Sequence, residues 1–362
     1  MSYSKSLNLL LTTRAVGDGG AEKVWVSIAR GFAARGDRVT LAVDHPPPPG
    51  YDLDGTTNPR LVVLGCHHAM SLVRLTRLVK AEPPDVALAA VSSSCVKLAA
   101  AVAMSRRRVP TVVSYHGFEE WRTGRLSACA YFGMPFLDRI ADHVVGVSDG
   151  LVDDLITQWG ADPARTRRIY NPVVVDFARA RASAGDLASR TPLVLAVGRL
   201  GIEKGMIDLV HAFARVARPD ARLAIAGEGP ERGRIEARIA ALGLGGRVEL
   251  LGRVDPEPWY ARARVVAVPS HTEAFGLVLV EALAHGLPIV ATACRGPREI
   301  LGEGRWGRIV PIGDADAMAR GIEAAFDEVG DPAERSARAE VFGFEAGMTE
   351  WARLVDAAAA GA

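Results

Sequence analysis

Short apolar runs about one strand long alternate with stretches of helical periodicity from one end of the chain to the other, and this rhythm limits the fold more than any other feature. Such runs, separated by helices, are how βαβ units and parallel sheets look in sequence. In the first half the pattern predicts strands at Leu7–Leu11, Arg38–Val43, Leu61–Leu64, Val86–Ala89, Thr111–Ser114 and His143–Val147. Between the first two, Ala21, Val24, Trp25, Ile28, Ala29 and Phe32 recur at three- and four-residue steps, one buried helix face, with Gly36 as its stop. Ser148 reads as the N-cap of a helix over Asp149–Trp159. A Pro-rich loop, His45–Gly50, fits neither helix nor ladder and reads as a stiff surface connector.

A second series begins after a segment rich in small and charged residues between Phe177 and Pro192, which reads as a linker. Its predicted strands are Leu193–Val197, Arg222–Ala226, Val248–Leu250, Val265–Val268 and Ile289–Thr292. At 362 residues the chain is long enough for two domains with cores of their own. The expected division is 1–176 and 177–344, with a closing helix around 345–362, centred on Trp351–Ala359, returning to the first domain.

Apolar residues make up 49% of the chain and charged residues 23%, a folded profile that is neither disordered nor fibrous. The 43 Lys and Arg against 42 Asp and Glu leave a net charge of +1, which argues against bulk binding to nucleic acid. Cys66, Cys95, Cys129 and Cys294 are widely spread with no CxxC pair, so a reducing cytoplasm is the expected compartment. No apolar run is long enough to span a bilayer, and Leu7–Leu11 reads as a strand rather than a signal peptide.

The densest chemistry lies at Pro269–Gly276, followed by an apolar helical stretch carrying Glu281. A strand ends at Val268 and a helix is expected from about Phe275, so amides of Ala274, Phe275 and Gly276 present a site for phosphate oxygens. Glu273 and Glu281 stand eight residues apart, and a carboxylate inside an apolar helix needs a partner. Gly198-Arg199 and Lys204-Gly205 follow another strand, bringing two cations to a Gly-containing turn. The turn Gly227-Glu228-Gly229 misses the dinucleotide GxGxxG spacing, so a nicotinamide cofactor is not indicated. The acidic pairs Asp52/Asp54 and Asp314/Asp316 do not stand at strand ends, and a metal-bound diphosphate is not indicated either.

With Gly19-Gly20-Ala21-Glu22, Ser114-Tyr115-His116-Gly117, Asn171-Pro172, Arg199 with Lys204, Gly227-Glu228-Gly229-Pro230 and Glu273-Ala274-Phe275-Gly276 with Glu281, the chain resembles the GT-B glycosyltransferases of the large retaining class called family 4. The resemblance runs nearly end to end. It implies an α/β fold of two Rossmann-like doubly wound parallel-sheet domains facing across a cleft, the first for acceptor and the second for a nucleotide-sugar. It further implies a hexosyltransferase, retaining and metal-independent, that moves a sugar, by expectation from a UDP-hexose or UDP-N-acetylhexosamine, to a hydroxyl of a glycan or lipid-linked acceptor in surface polysaccharide biosynthesis. No cofactor is implied beyond the donor substrate.

By the same resemblance Arg199 and Lys204 steady the leaving diphosphate, where charge develops as the glycosidic bond breaks. Glu273 holds donor-sugar hydroxyls, Glu281 the ribose diol, and the amides of Ala274, Phe275 and Gly276 the sugar and phosphate. Arg253 and Val254 border the nucleobase, Gly198, Gly19 and Gly20 lie near the donor, and His116 faces the donor sugar. One departure stands out: where the family often has a Gly-Gly pair, this chain reads Arg295-Gly296, which puts close backbone approach at that loop in question.

A basic amphipathic stretch, Leu72 to Lys80, and the Arg106–Arg108 cluster are compatible with peripheral contact to the inner face of a membrane, or with an ordinary solvated face. The segment Phe118–Phe136 is a candidate wall of the acceptor pocket. Two other readings stay open: a nucleotide-sugar epimerase or phosphorylase on the same scaffold, which needs no separate acceptor or uses a different one, and a catalytically silent sugar-nucleotide-binding protein.

Overall fold

The computed structural model describes residues 6–17, 19–48, 58–183, 187–327 and 330–361. Its contacts divide the chain into two compact units, Met1–Pro172 with Phe344–Ala362, and Val173–Gly343. In the first unit, strands β1 (Asn8–Thr13), β2 (Arg38–Val43), β3 (Arg60–Val63), β4 (Val86–Ala90), β5 (Thr111–Tyr115), β6 (His143–Gly146) and β7 (Thr166–Arg168) form one sheet. The order is β3-β2-β1-β4-β5-β6-β7, and every neighbouring pair is parallel. In the second, β8 (Leu193–Val197), β9 (Arg222–Ala226), β10 (Val248–Gly252), β11 (Val265–Val268), β12 (Ile289–Thr292) and β13 (Arg308–Val310) lie in the order β10-β9-β8-β11-β12-β13, again all parallel.

Parallel strands covered by helices on both faces need apolar side chains pointing both ways, and β4, β5 and β11 are buried at every position. Helix Gly20–Arg35 buries Val24, Trp25, Ile28 and Phe32 and ends at Gly36, whose φ of 102° lets its amide reach the Ala33 carbonyl. Ser148 caps helix Asp149–Thr157, its Oγ accepting from the Leu151 amide at 3.2 Å. In each sheet the chain order reverses once, between β1 and β4 and between β8 and β11. Those two switch points are where open α/β sheets leave a crevice at the carboxyl ends of their strands.

Several sequence expectations shift. The segment after Phe177 is not a linker: it forms helix Phe177–Ser183, Ala180 is fully buried, and Arg190 donates to the Ala263 carbonyl at 2.6 Å. The break in contacts falls at Pro172/Val173 instead. β7 and β13 carry Arg at edge positions and offer no apolar run, so the pattern alone misses them. The closing helix runs Phe344–Ala360, close to the expected 345–362, and begins seven residues ahead of Trp351. Helix His68–Ala81 buries Leu75 and Val79 fully inside the unit and leaves Met70 and Val73 exposed. Of the Pro-rich loop, Pro49 and Gly50 lie outside the described residues, as do Asp52 and Asp54.

Candidate active site

The second unit gathers its functional side chains at the carboxyl edge around the β8/β11 switch point. Three turns after β8, β9 and β10 are joined by backbone: Gly198 N–H donates to the Ala226 carbonyl at 2.9 Å, Leu200 to Glu228 at 2.9 Å and Gly227 to Gly252 at 2.8 Å. The turn ending in Lys204-Gly205 closes against the loop after β11, with the His271 amide donating to the Glu203 carbonyl at 2.8 Å. Gly205 has φ 63°, and a Cβ there would run into the Pro269 carbonyl, so this approach admits only glycine. The result is an ion pair across 69 residues of sequence: Lys204 Nζ lies 2.6 Å from Glu273 Oε2. Their side chains are 26% and 17% exposed, so both remain within reach of a ligand. Arg199 sits on the same edge, more open, held by Glu203 at 2.6 Å.

Helix Leu277–Ala284 starts two residues later than expected, with Gly276 as its N-cap at φ 101°. Ala274, Phe275 and Gly276 therefore belong to the loop, and the first free amides of the helix are those of Leu277 and Val278. Close backbone approach beside this loop survives the Arg295 replacement, because Gly296 supplies it. A Cβ on Gly296 would stand 2.7 Å from Ala274 C and Phe275 N, and its amide donates to the Glu273 carbonyl at 3.1 Å. Asp314 has a plain structural task, its carboxylate capping the Ala317 amide at 2.8 Å, and Asp316 pairs with Arg215.

One turn and a half into the same helix, Glu281 accepts a hydrogen bond from the fully buried Tyr260 hydroxyl at 2.6 Å. Burial first, and then the neighbouring Glu281 charge, push the Tyr260 phenol well above its ordinary value, so it stays a donor. Arg253 and Val254 follow β10 on the exposed rim.

In the first unit, His116 follows β5 and Gly19-Gly20 open the helix after β1. His116 Nε2 lies 3.1 Å from Ser114 Oγ, and its ring meets Trp25 edge-on at 6.3 Å. Its buried Nδ1 meets no hydrogen-bond partner of good geometry. Burial pushes the imidazole down to about 4, against a smaller upward pull from Asn171. The His116 amide is held by Glu120, whose other oxygen accepts from the Ser92 amide at 2.9 Å, at the start of helix Ser92–Ser105. Burial raises the Glu120 carboxyl despite those two amides. Glu120, Tyr260 and the buried cluster of Asp44, Ser71 and Lys97 all escape a sequence reading, because each is defined by partners far along the chain. Among the described residues no three His, Cys, Asp or Glu side chains gather as a metal-holding group.

Two parallel-sheet units with their polar turns at the carboxyl edges define a GT-B architecture. The group 1 glycosyl transferases model matches residues 181–340 and the glycosyltransferase family 4 model residues 18–177, and the chain belongs to this glycosyltransferase family. The lipopolysaccharide core biosynthesis glycosyltransferase LpsE of Rhizobium meliloti is 29% identical over 316 residues, covering 84% of this chain and 85% of that protein. The N-acetylgalactosaminyltransferase acting on N-acetylgalactosamine-N,N'-diacetylbacillosaminyl-diphospho-undecaprenol in Campylobacter jejuni is 30% identical, over 52% of each chain. Among solved structures, HepE of Anabaena in complex with UDP-glucose superposes with a TM-score of 0.81 at 21% identity, over 97% of this chain and 100% of that one. Sucrose-phosphate synthase from Thermosynechococcus elongatus gives a TM-score of 0.82 at 23% identity, over 98% and 99%.

The His116 environment generates a direct test. NMR titration of its imidazole is expected to show a midpoint of about 4, and an ordinary value near 6.5 would contradict the burial described. Between those two pH values the folded protein takes up fewer protons at this ring than the unfolded chain, so its contribution to stability falls as the pH drops from 6.5 toward 4.

Proposed function

We propose that this glycosyltransferase moves a hexosyl group, with retention, from a UDP-sugar to a hydroxyl of a glycan or lipid-linked acceptor in the building of a surface polysaccharide. The observation that carries the reading is the Lys204–Glu273 pair at the β8/β11 switch point, a cation for phosphate and an anion for sugar hydroxyls held within one hydrogen bond of each other. Arg199 and Lys204 take the diphosphate, Glu273 and the amides of Ala274, Phe275 and Gly276 the sugar end, and Glu281 the ribose diol. Arg253 and Val254 border the base, and Gly198 lets the backbone approach the phosphates. A carboxylate accepts two hydrogen bonds from a vicinal diol, which fixes the orientation of the ring it grips.

In the reaction the acceptor oxygen forms a bond to the anomeric carbon on the face the diphosphate leaves. The bond from that carbon to the phosphate oxygen breaks and its electron pair departs with the nucleoside diphosphate. The acceptor proton passes to the leaving phosphate. Negative charge grows on that phosphate, and fixed cations stabilise it more in the transition state than in the bound donor. Protein cations in place of a divalent ion make the reaction metal-independent. The likeness to LpsE, a lipopolysaccharide core biosynthesis glycosyltransferase, and to the transferase acting on an undecaprenol-linked glycan supports a glycan or lipid-linked acceptor.

Lys204→Ala and Glu273→Ala are expected to lower transfer by roughly 100-fold or more with folding intact, the scale seen when one transition-state contact is removed. A chelator is expected to leave the wild-type rate unchanged. Transfer that survives both substitutions, or that fails in chelator and returns with magnesium, contradicts the proposal. Isomerised nucleotide-sugar formed without acceptor would favour an epimerase.

Contact with an anionic membrane is the second part of the proposal, and it moves from helix His68–Ala81 to another surface of the first unit. Helices Arg125–Phe132 and Met134–Leu137 leave Phe132 and Phe136 68% and 69% exposed, with the Arg139 guanidinium 5.5 Å from the Phe136 ring centroid and Arg125 exposed nearby in sequence. No helix among the described residues is long and apolar enough to cross a membrane, so attachment of this kind is interfacial. The four cysteines are free thiols, in keeping with a cytoplasmic face. Cosedimentation with vesicles containing phosphatidylglycerol is expected for the wild type and lost in Phe132→Ser/Phe136→Ser. Equal sedimentation of both proteins contradicts this surface.

A further inference from the structure

Glu281 cannot hold a diol in a fixed direction unless something holds Glu281, and the structure provides for that from behind. Helix Glu257–Arg262 places Tyr260 with its hydroxyl 2.6 Å from Glu281 Oε2. Tyr260 is 1% exposed. Its ring stacks on His285 with centroids 5.1 Å apart and an interplanar angle of 25°. His285 is equally buried, its Nδ1 2.9 Å from the Glu281 carbonyl oxygen and its Nε2 3.2 Å from Glu257 Oε1. The Glu281 carboxylate is thus tied at one oxygen to a rigid, enclosed phenol, and the backbone that carries it is tied to a ring stacked on that same phenol.

Neither Tyr260 nor His285 belongs to the polar turns at the strand ends. A fully buried hydroxyl needs a partner, but any acceptor would serve that need. A carboxylate that is itself partly exposed to solvent is an expensive choice of partner unless its orientation matters. We infer that Tyr260 is a positioning residue for nucleotide recognition: by fixing Glu281 it sets the preference of the site for a ribose over a 2′-deoxyribose. The inference rests on the proposed placement of the ribose diol at Glu281. A hydroxyl-bearing sugar offers the carboxylate two donors and a deoxy sugar only one. The difference is felt fully only when the carboxylate is held still, since a loose side chain turns to recover the remaining bond.

The test is calorimetric binding of UDP and of 2′-deoxy-UDP to the full-length wild type, to Tyr260→Phe and to Glu257→Gln. The wild type is expected to bind UDP roughly tenfold more tightly than its deoxy analogue, the scale of one hydrogen bond to a charged group. In Tyr260→Phe the packing of the ring is kept and the ratio is expected to fall below threefold, mainly through weaker UDP binding. Glu257→Gln, which weakens the support behind His285 and also the pair with Arg179, is expected to give an intermediate ratio. Loss of folded protein scales both apparent affinities by the same factor and cancels in the ratio, so a merely structural defect leaves the ratio unchanged. A ratio in Tyr260→Phe equal to that of the wild type overturns the inference. A wild type that binds neither nucleotide, or both equally, instead overturns the placement of the ribose at Glu281, and the role of Tyr260 falls with it.

Discussion

The candidate site depends on a backbone contact. Lys204 and Glu273 come from turns 69 residues apart, and they meet because Gly205 lets its turn lie against the Pro269 carbonyl while the His271 amide reaches the Glu203 carbonyl. No side chain could pull those turns together at that distance if the backbone did not already fit. The same device operates on the other side of the Glu273 loop, where Gly296 packs on the Ala274–Phe275 peptide. A loop gripped by glycine contacts from two directions is preorganised, so its polar groups need little rearrangement when a ligand arrives.

The parallel sheet is what makes such contacts possible. Strands buried on both faces fix the positions of their carboxyl ends to within the packing of the core, and the polar turns inherit that precision. In the second unit β8 ends at Val197 and β11 at Val268, and the residues that follow each are the ones that carry charge. In the first unit the same position after β5 holds His116, kept uncharged near neutral pH by burial and tied through its amide to Glu120. The edge of the second sheet is thus ion-paired at Lys204 and Glu273 and suited to an anionic diphosphate, while the first sheet holds an uncharged imidazole after β5.

Much of this was legible in the sequence, and the reason is the period of its apolar residues. Arg38–Val43, Leu193–Val197, Arg222–Ala226, Val265–Val268 and Ile289–Thr292 match their predicted bounds because interior strands need uninterrupted apolar runs. Edge strands β7 and β13 need them less and went unseen. Composition misled at Phe177–Ser183, where small and charged residues suggested a linker although Ala180 is buried and Arg190 is bound to core carbonyls. The grouping of Arg199, Lys204 and Glu273 could be expected from turns at strand ends. The Tyr260 contact to Glu281 could not, since it joins the side chains of two helices whose relative rotation no local pattern encodes.

Hydrogen exchange with and without UDP tests the central claim most directly, namely that one edge of the second sheet forms a single ligand site. The account predicts that UDP slows exchange together in the segments 198–205, 227–229 and 273–281, with little change at the opposite ends of the same strands. Protection confined to other segments, or no protection at saturating UDP, would contradict it.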